Sequence, residues 1–146
     1  MTSAVDTSVL IDVLTRDPTY SASSRNALSQ ASREGALIVC PVVVAELRAA
    51  YRDDAQVRRL LLDLGIHVVD VDVQDGLNAG KIHRAYLHAG GGRNRVVADF
   101  LIGAHACNHA TRLIARDRGF FREHFGDLKV WYPDEHIDTT IHTQER

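Results

Sequence analysis

The chain has 146 residues, 45% of them hydrophobic and 25% charged, which is the balance of one globular domain and excludes disordered, collagen-like and disulfide-scaffold classes. No apolar run approaches the roughly 20 residues that span a bilayer, and residues 1–5 lack the pattern of a secretory signal, so a cytoplasmic location is expected. A net charge of -2 excludes a molecule-wide pull on nucleic acid, so any such binding needs a local patch.

Ser3-Ala4-Val5 reads as a short strand that turns into a helix near Ser8, with Val9, Leu10, Val13 and Leu14 at helical spacing. A helix from Tyr20 to Glu34 stops at Gly35, and Ala36 to Cys40 is a buried strand. Pro41 suits the first turn of the next helix, which carries Glu46. Val57, Leu60, Leu61 and Leu64 mark a helix closed by Gly65, and Ile66 to Val71 is a third strand. Leu77 to Ala89 reads as a helix closed by Gly90-Gly91-Gly92, a flexible loop near the ligand face. Helix Val96 to Ala110, strand Leu113 to Ala115, helix Gly119 to Phe125 and strand Lys129 to Trp131 follow. Strands alternating with helices imply an α/β fold on a parallel sheet. Cys40 and Cys107 lie in apolar stretches, where reduced and buried thiols without a disulfide are expected.

Four acids stand where strands end or helices begin: Asp6, Glu46, Asp99 and Asp117. In a parallel sheet these positions converge on the carboxyl edge, where such folds place ligands. Taken singly, Asp6 reads as an N-cap, Glu46 as a surface helix residue and Asp117 as a turn former. Gathered in apolar surroundings, their charges would call for a cation. All-oxygen ligands select Mg²⁺ or Mn²⁺, and the implied chemistry is phosphodiester hydrolysis by a metal-activated water, without a nucleophilic side chain.

The segments Val5-Asp6-Thr7-Ser8-Val9-Leu10-Ile11-Asp12, Val43-Val44-Ala45-Glu46-Leu47, Val97-Ala98-Asp99-Phe100-Leu101-Ile102-Gly103-Ala104-His105-Ala106 and Ala115-Arg116-Asp117-Arg118-Gly119-Phe120-Phe121 resemble, in that order, the signatures of the PIN domain. They look most like the VapC toxins of bacterial type II toxin–antitoxin pairs. The resemblance implies a three-layer α/β/α fold whose central parallel sheet has four to five strands in the order 3-2-1-4-5. The PIN domain would cover residues 1–132, with 133–146 as a polar C-terminal tail. By the same resemblance Asp6, Glu46, Asp99 and Asp117 hold Mg²⁺ or Mn²⁺ for endonucleolytic cleavage of RNA, with Asp6 and Asp99 as the principal ligands. Thr7 and Ser8 would orient Asp6 or the metal's waters. The implied partners are the RNA substrate, a small VapB-like antitoxin and a second copy of the chain in a homodimer. The chain departs from the family at Ala115, where Thr or Ser is common, so one orienting hydroxyl is missing there.

Arginine outnumbers lysine 15 to 2, and Arg93, Arg95, Arg112, Arg116, Arg118 and Arg122 flank the last two acidic segments, where they could hold RNA phosphates. His105 and His109 lie four apart on a helix with Cys107 between them, a spacing that could place two imidazoles on one metal. The Glu of a His-Glu-x-x-His site is replaced by Ala106, so packing or surface roles are preferred. Two other functions stay open on sequence alone. One is a non-catalytic PIN-like module that binds RNA or an antitoxin. The other is a receiver-like phospho-acceptor domain using Asp70 or Asp72 with Lys129, against which stands the lack of an acidic pair after the first strand.

Overall fold

Val, Ile and Leu dominate strands only two or three residues long, and the two strands Ser3–Val5 and Leu37–Val39 are buried at every position, as the middle of a sheet covered on both faces requires. The computed structural model describes residues 1–92, 95–117 and 119–134. Its strands are β1 (Ser3–Val5), β2 (Leu37–Val39), β3 (Ile66–Val68), β4 (Arg112–Ile114) and β5 (Val130–Trp131). They form one parallel sheet in the order β3-β2-β1-β4-β5, as the resemblance implies. Ala4 pairs with Ile38 on one side and Leu113 on the other, so β1 is central.

The helices are α1 (Thr7–Leu14), α2 (Ser21–Glu34), α3 (Pro41–Ala50), α4 (Asp54–Asp63), α5 (Val73–His88), α6 (Val97–His109) and α7 (Phe120–His124). Val5, Leu10, Val39, Leu47, Phe100, Leu113 and Phe121 are fully buried between helices and sheet. Among the described residues no helix is long and apolar enough to cross a membrane.

Several boundaries differ from the sequence reading for identifiable reasons. Strand β3 ends at Val68 and α5 begins at Val73, four residues before Leu77, because Asp72 accepts from the Asp75 backbone while the Asp75 carboxylate accepts from the Asp72 backbone. This reciprocal cap starts the helix before its apolar period becomes visible. Asp53 likewise caps α4 by accepting from the Gln56 backbone. Cys40 is buried as expected, whereas Cys107 lies on the solvent side of α6, and both are free thiols. Of the tail, only Pro133 and Asp134 lie within the described residues, and Asp134 accepts from the Ser23 hydroxyl at 2.7 Å.

Candidate active site

The order 3-2-1-4-5 makes the chain leave β1 in one direction for β2 and β3, then return to its other side for β4 and β5. In parallel sheets, the carboxyl edge at such a reversal is where ligands bind. Asp6 follows β1 directly and its backbone N–H still donates to Ile114 of β4 at 2.9 Å. Asp117 follows β4, Glu46 sits on the helix after β2, and Asp99 lies in the first turn of α6.

Three carboxylates are each held by a hydroxyl. The Ser8 hydroxyl donates to Asp6 Oδ2 at 2.5 Å, Thr7 donates to Glu46 Oε1 at 2.8 Å, and Tyr132 donates to Asp117 Oδ1 at 3.2 Å. Ser8 also accepts from the Arg116 backbone at 3.1 Å, which ties the β4–α7 loop to α1. Asp117 further accepts from the backbones of Gly119 and Phe121, which fixes it at the start of α7. Of the two residues named for orienting Asp6 or the metal's waters, Ser8 bonds Asp6, whereas Thr7 bonds Glu46. Tyr132 is the hydroxyl that sequence reasoning missed.

Asp6 is 8% exposed and its carboxyl is pushed up to about 6, chiefly by burial. The Ser8 hydrogen bonds oppose that shift, while the charges of Asp117 and Glu46 add to it. Three of the four predicted acids therefore share one electrostatic neighbourhood. Asp99 joins it through Arg95, whose guanidinium lies 3.9 Å from Asp99 Oδ2, donates to the Asp117 carbonyl at 3.4 Å and stacks on Phe120. No three of the four carboxylates come within 4.8 Å of one another, so the pocket suits an ion that retains several waters better than one caged by protein.

The arginines divide. Arg95 belongs to the pocket. Arg112, at the start of β4, stands at the opposite edge of the sheet, where it donates to Ser3 at 2.8 Å, pairs with Glu34 and stacks on Trp131. Its place beside an acidic segment in sequence does not put it beside the acids in space. Arg116 grips buried Asp12 with two nitrogens and covers the Tyr20 ring, and Ser24 donates to the same carboxylate at 3.0 Å. It braces the loop that carries Asp117. Arg122 donates to the Val130 carbonyl and stacks on Tyr132. Arg93 and Arg118 lie outside the described residues.

The histidine pair is engaged as well. Among the described residues, the single group of three or more side chains offering ligand atoms within 4.8 Å of one another is Asp75, His105 and His109, at the far end of α6 from Asp99. The sequence offers two of these three, and Asp75 joins them because the start of α5 packs against the end of α6. Asp72, one residue of the receiver-like reading, is occupied in the same place by capping α5 and accepting from Asn108.

The PIN domain family model matches residues 4–124, a span that contains all four acids and all but one of the strands. The chain belongs to the PIN domain family. Other solved structures share this PIN fold. VapBC2 from Rickettsia felis, bound to a DNA fragment from their promoter, matches with a TM-score of 0.70 and 18% identity over 90% of this chain and 98% of that one. A toxin-antitoxin complex from Klebsiella pneumoniae matches with a TM-score of 0.66 and 18% identity over 92% and 99% of the two chains. FitAcB from Neisseria gonorrhoeae matches with a TM-score of 0.63 and 22% identity over 90% and 97%. Comparison with the curated proteins by sequence gives no match.

Proposed function

We propose that this PIN domain is a Mg²⁺-dependent endoribonuclease, the toxin of a type II toxin–antitoxin pair. The observation that carries the reading is Asp6, buried at the point where the strand order reverses and facing the charges of Glu46 and Asp117 with only hydroxyl and backbone donors to offset them. That arrangement fits a divalent cation: the donors are oxygens, and negative charge is gathered where burial makes it costly. Asp6 and Asp99 would hold the ion, with Glu46 and Asp117 completing the acidic wall. When bound, Mg²⁺ or Mn²⁺ supplies the positive charge that activates water and offsets charge building on the scissile phosphate.

The chain's own part is positioning. Ser8, Thr7 and Tyr132 fix the carboxylates that they touch, so the pocket need not reorganise as the phosphate arrives. Three hydroxyl donors offset the one missing at Ala115, which is itself fully buried beside β4. Arg95, between Asp99 and the Asp117 carbonyl, would meet a substrate phosphate. The toxin–antitoxin part of the reading is supported by the fold shared with VapBC2 and with the Klebsiella toxin-antitoxin complex. It entails a small VapB-like antitoxin that covers the pocket, a homodimer and a cytoplasmic site of action.

The test is cleavage of total cellular RNA by the purified protein with Mg²⁺, with Mn²⁺ and with EDTA, beside an Asp6→Asn variant. The expected result is metal-dependent cleavage that the variant loses. A wild-type protein that binds Mg²⁺ yet leaves every RNA intact would favour the non-catalytic module. Expression should arrest growth, with relief by a co-expressed antitoxin, and unimpaired growth would remove the toxin assignment while leaving the nuclease in place.

A further inference from the structure

One motif takes no part in the pocket. His105 and His109 face α5 from the last turns of α6, with ring centroids 4.5 Å apart. His109 Nε2 lies 2.8 Å from Asp75 Oδ2 and 3.6 Å from Asp72 Oδ2. Asp75 is fully buried and His105 is 1% exposed, whereas half of the Asp72 side chain and 22% of the His109 side chain reach solvent. The group has a closed back and an open mouth.

Its surroundings orient every member. His105 Nε2 lies 2.8 Å from the Val69 carbonyl, which can only accept, so that nitrogen carries the proton and Nδ1 keeps the lone pair. Asn108 donates to Asp75 Oδ1 at 2.9 Å and to Asp72 Oδ2 at 3.1 Å, and the Asp72 backbone donates to Asp75 Oδ2 at 3.0 Å. An imidazole anchored through its second nitrogen to a carbonyl, as His105 is, and carboxylates held by outside donors are the usual surroundings of metal ligands. A hydrogen-bonded clamp between α5 and α6 would need only the His109–Asp75 contact, whereas here a second imidazole, tied to the Val69 carbonyl, offers a ligand atom within 4.8 Å of both.

We propose that Asp75, His105 and His109, with Asp72 within reach of the fourth position, form a site for a transition-metal ion of the zinc class that staples α5 to α6. Two imidazole nitrogens and one carboxylate oxygen select zinc, cobalt or nickel over Mg²⁺. The site is separate from the acidic pocket, because Asp99 and His109 are ten residues apart on α6, about 15 Å along its axis. Ligand atoms around a tetrahedral zinc stand roughly 3.3 Å apart, so ligand atoms already within 4.8 Å of one another have at most about 1.5 Å to close.

The test is titration of the EDTA-treated full chain, in excess Mg²⁺ that keeps the acidic pocket filled, with Co²⁺, read by visible absorption, and with Zn²⁺, read by bound metal and thermal denaturation. The expected result is about one ion per chain, the intense bands of four-coordinate cobalt and a Tm rise of about 5 °C with zinc. His105→Ala would open a cavity in the core, so the decisive variant is His109→Gln, which keeps a hydrogen bond to Asp75 and should lose the bands and the Tm rise. Asp99→Asn, in the other pocket, should keep both, and so should Cys107→Ser, which removes the nearby exposed thiol. Weak octahedral cobalt bands in the wild type, full binding by His109→Gln, or loss of binding in Asp99→Asn or Cys107→Ser would each overturn the site.

Discussion

The Asp6 carboxyl binds its proton more tightly in the folded chain, at about 6 against 3.8 for an ordinary aspartate, chiefly because it is buried. The stability that comes with that proton is fully present below about pH 4 and is lost as pH rises through 6. Two units correspond to a ceiling of about 3 kcal/mol. Asp6→Asn keeps an acceptor for Ser8 but carries no charge. In EDTA it should therefore melt above the wild type at pH 8 and level with it at pH 4, and Mg²⁺ should raise the wild type alone. Equal melting temperatures at pH 8 would mean that the pocket bears no charge stress. Tyr132 permits a second test. Burial, then the adjacent Asp117 carboxylate, pushes its hydroxyl up to about 12, so it remains a donor throughout the working range. Tyr132→Phe should leave the fold and RNA binding intact while lowering kcat by about three- to tenfold, the worth of one positioning hydrogen bond. An unchanged kcat would make Tyr132 a packing residue.

At the scale of elements, the ends of β1 and β4 were legible to within a residue, and two of the four acids, Asp6 and Asp117, stand within three residues of them. The central strand could be read in the same way, since Ser3-Ala4-Val5 leads straight into Asp6. What joins the elements was not legible. Thr7 finds Glu46 across 39 residues and Arg116 finds Asp12 across 104, and no local period encodes either pairing. A basic residue beside an acidic motif therefore reads as a phosphate contact until the fold shows its partner. The Asp12–Arg116 pair, covered by Tyr20 and joined by Ser24, bolts the Asp117 loop to α1. Arg116→Met would strand a buried carboxylate and should cost about 3 kcal/mol in denaturant unfolding, with an Asp12→Leu/Arg116→Met double variant recovering part of it. A single variant within about 0.5 kcal/mol of wild type would show that the bolt contributes nothing.

Across the whole molecule, Arg95 and Arg112, both beside acidic segments in sequence, stand at opposite edges of the sheet. With a net charge of -2 the molecule does not draw RNA from a distance, so under the proposed function its affinity for RNA would come from a few contacts at the carboxyl edge. Arg95 stands there beside Asp99 and Asp117, and Arg112 stands at the other edge with Glu34 and Ser3. The two residues therefore serve as pocket probe and control. RNA binding measured by fluorescence anisotropy in EDTA, where turnover is suppressed, should weaken with salt. Each phosphate contact adds about -0.7 to the slope of log affinity against log salt for a single strand. Arg95→Ala should remove about one such contact, flattening the slope by about 0.7 and weakening binding at low salt, although it also takes a cation away from the Asp99 carboxylate and a donor from the Asp117 carbonyl. Arg112→Ala should leave the slope unchanged and instead lower the melting temperature, because the Glu34 pair and the Trp131 stack are lost. A slope that responds to Arg112 and not to Arg95 would place the RNA on the edge away from the acids, which is incompatible with cleavage in this pocket.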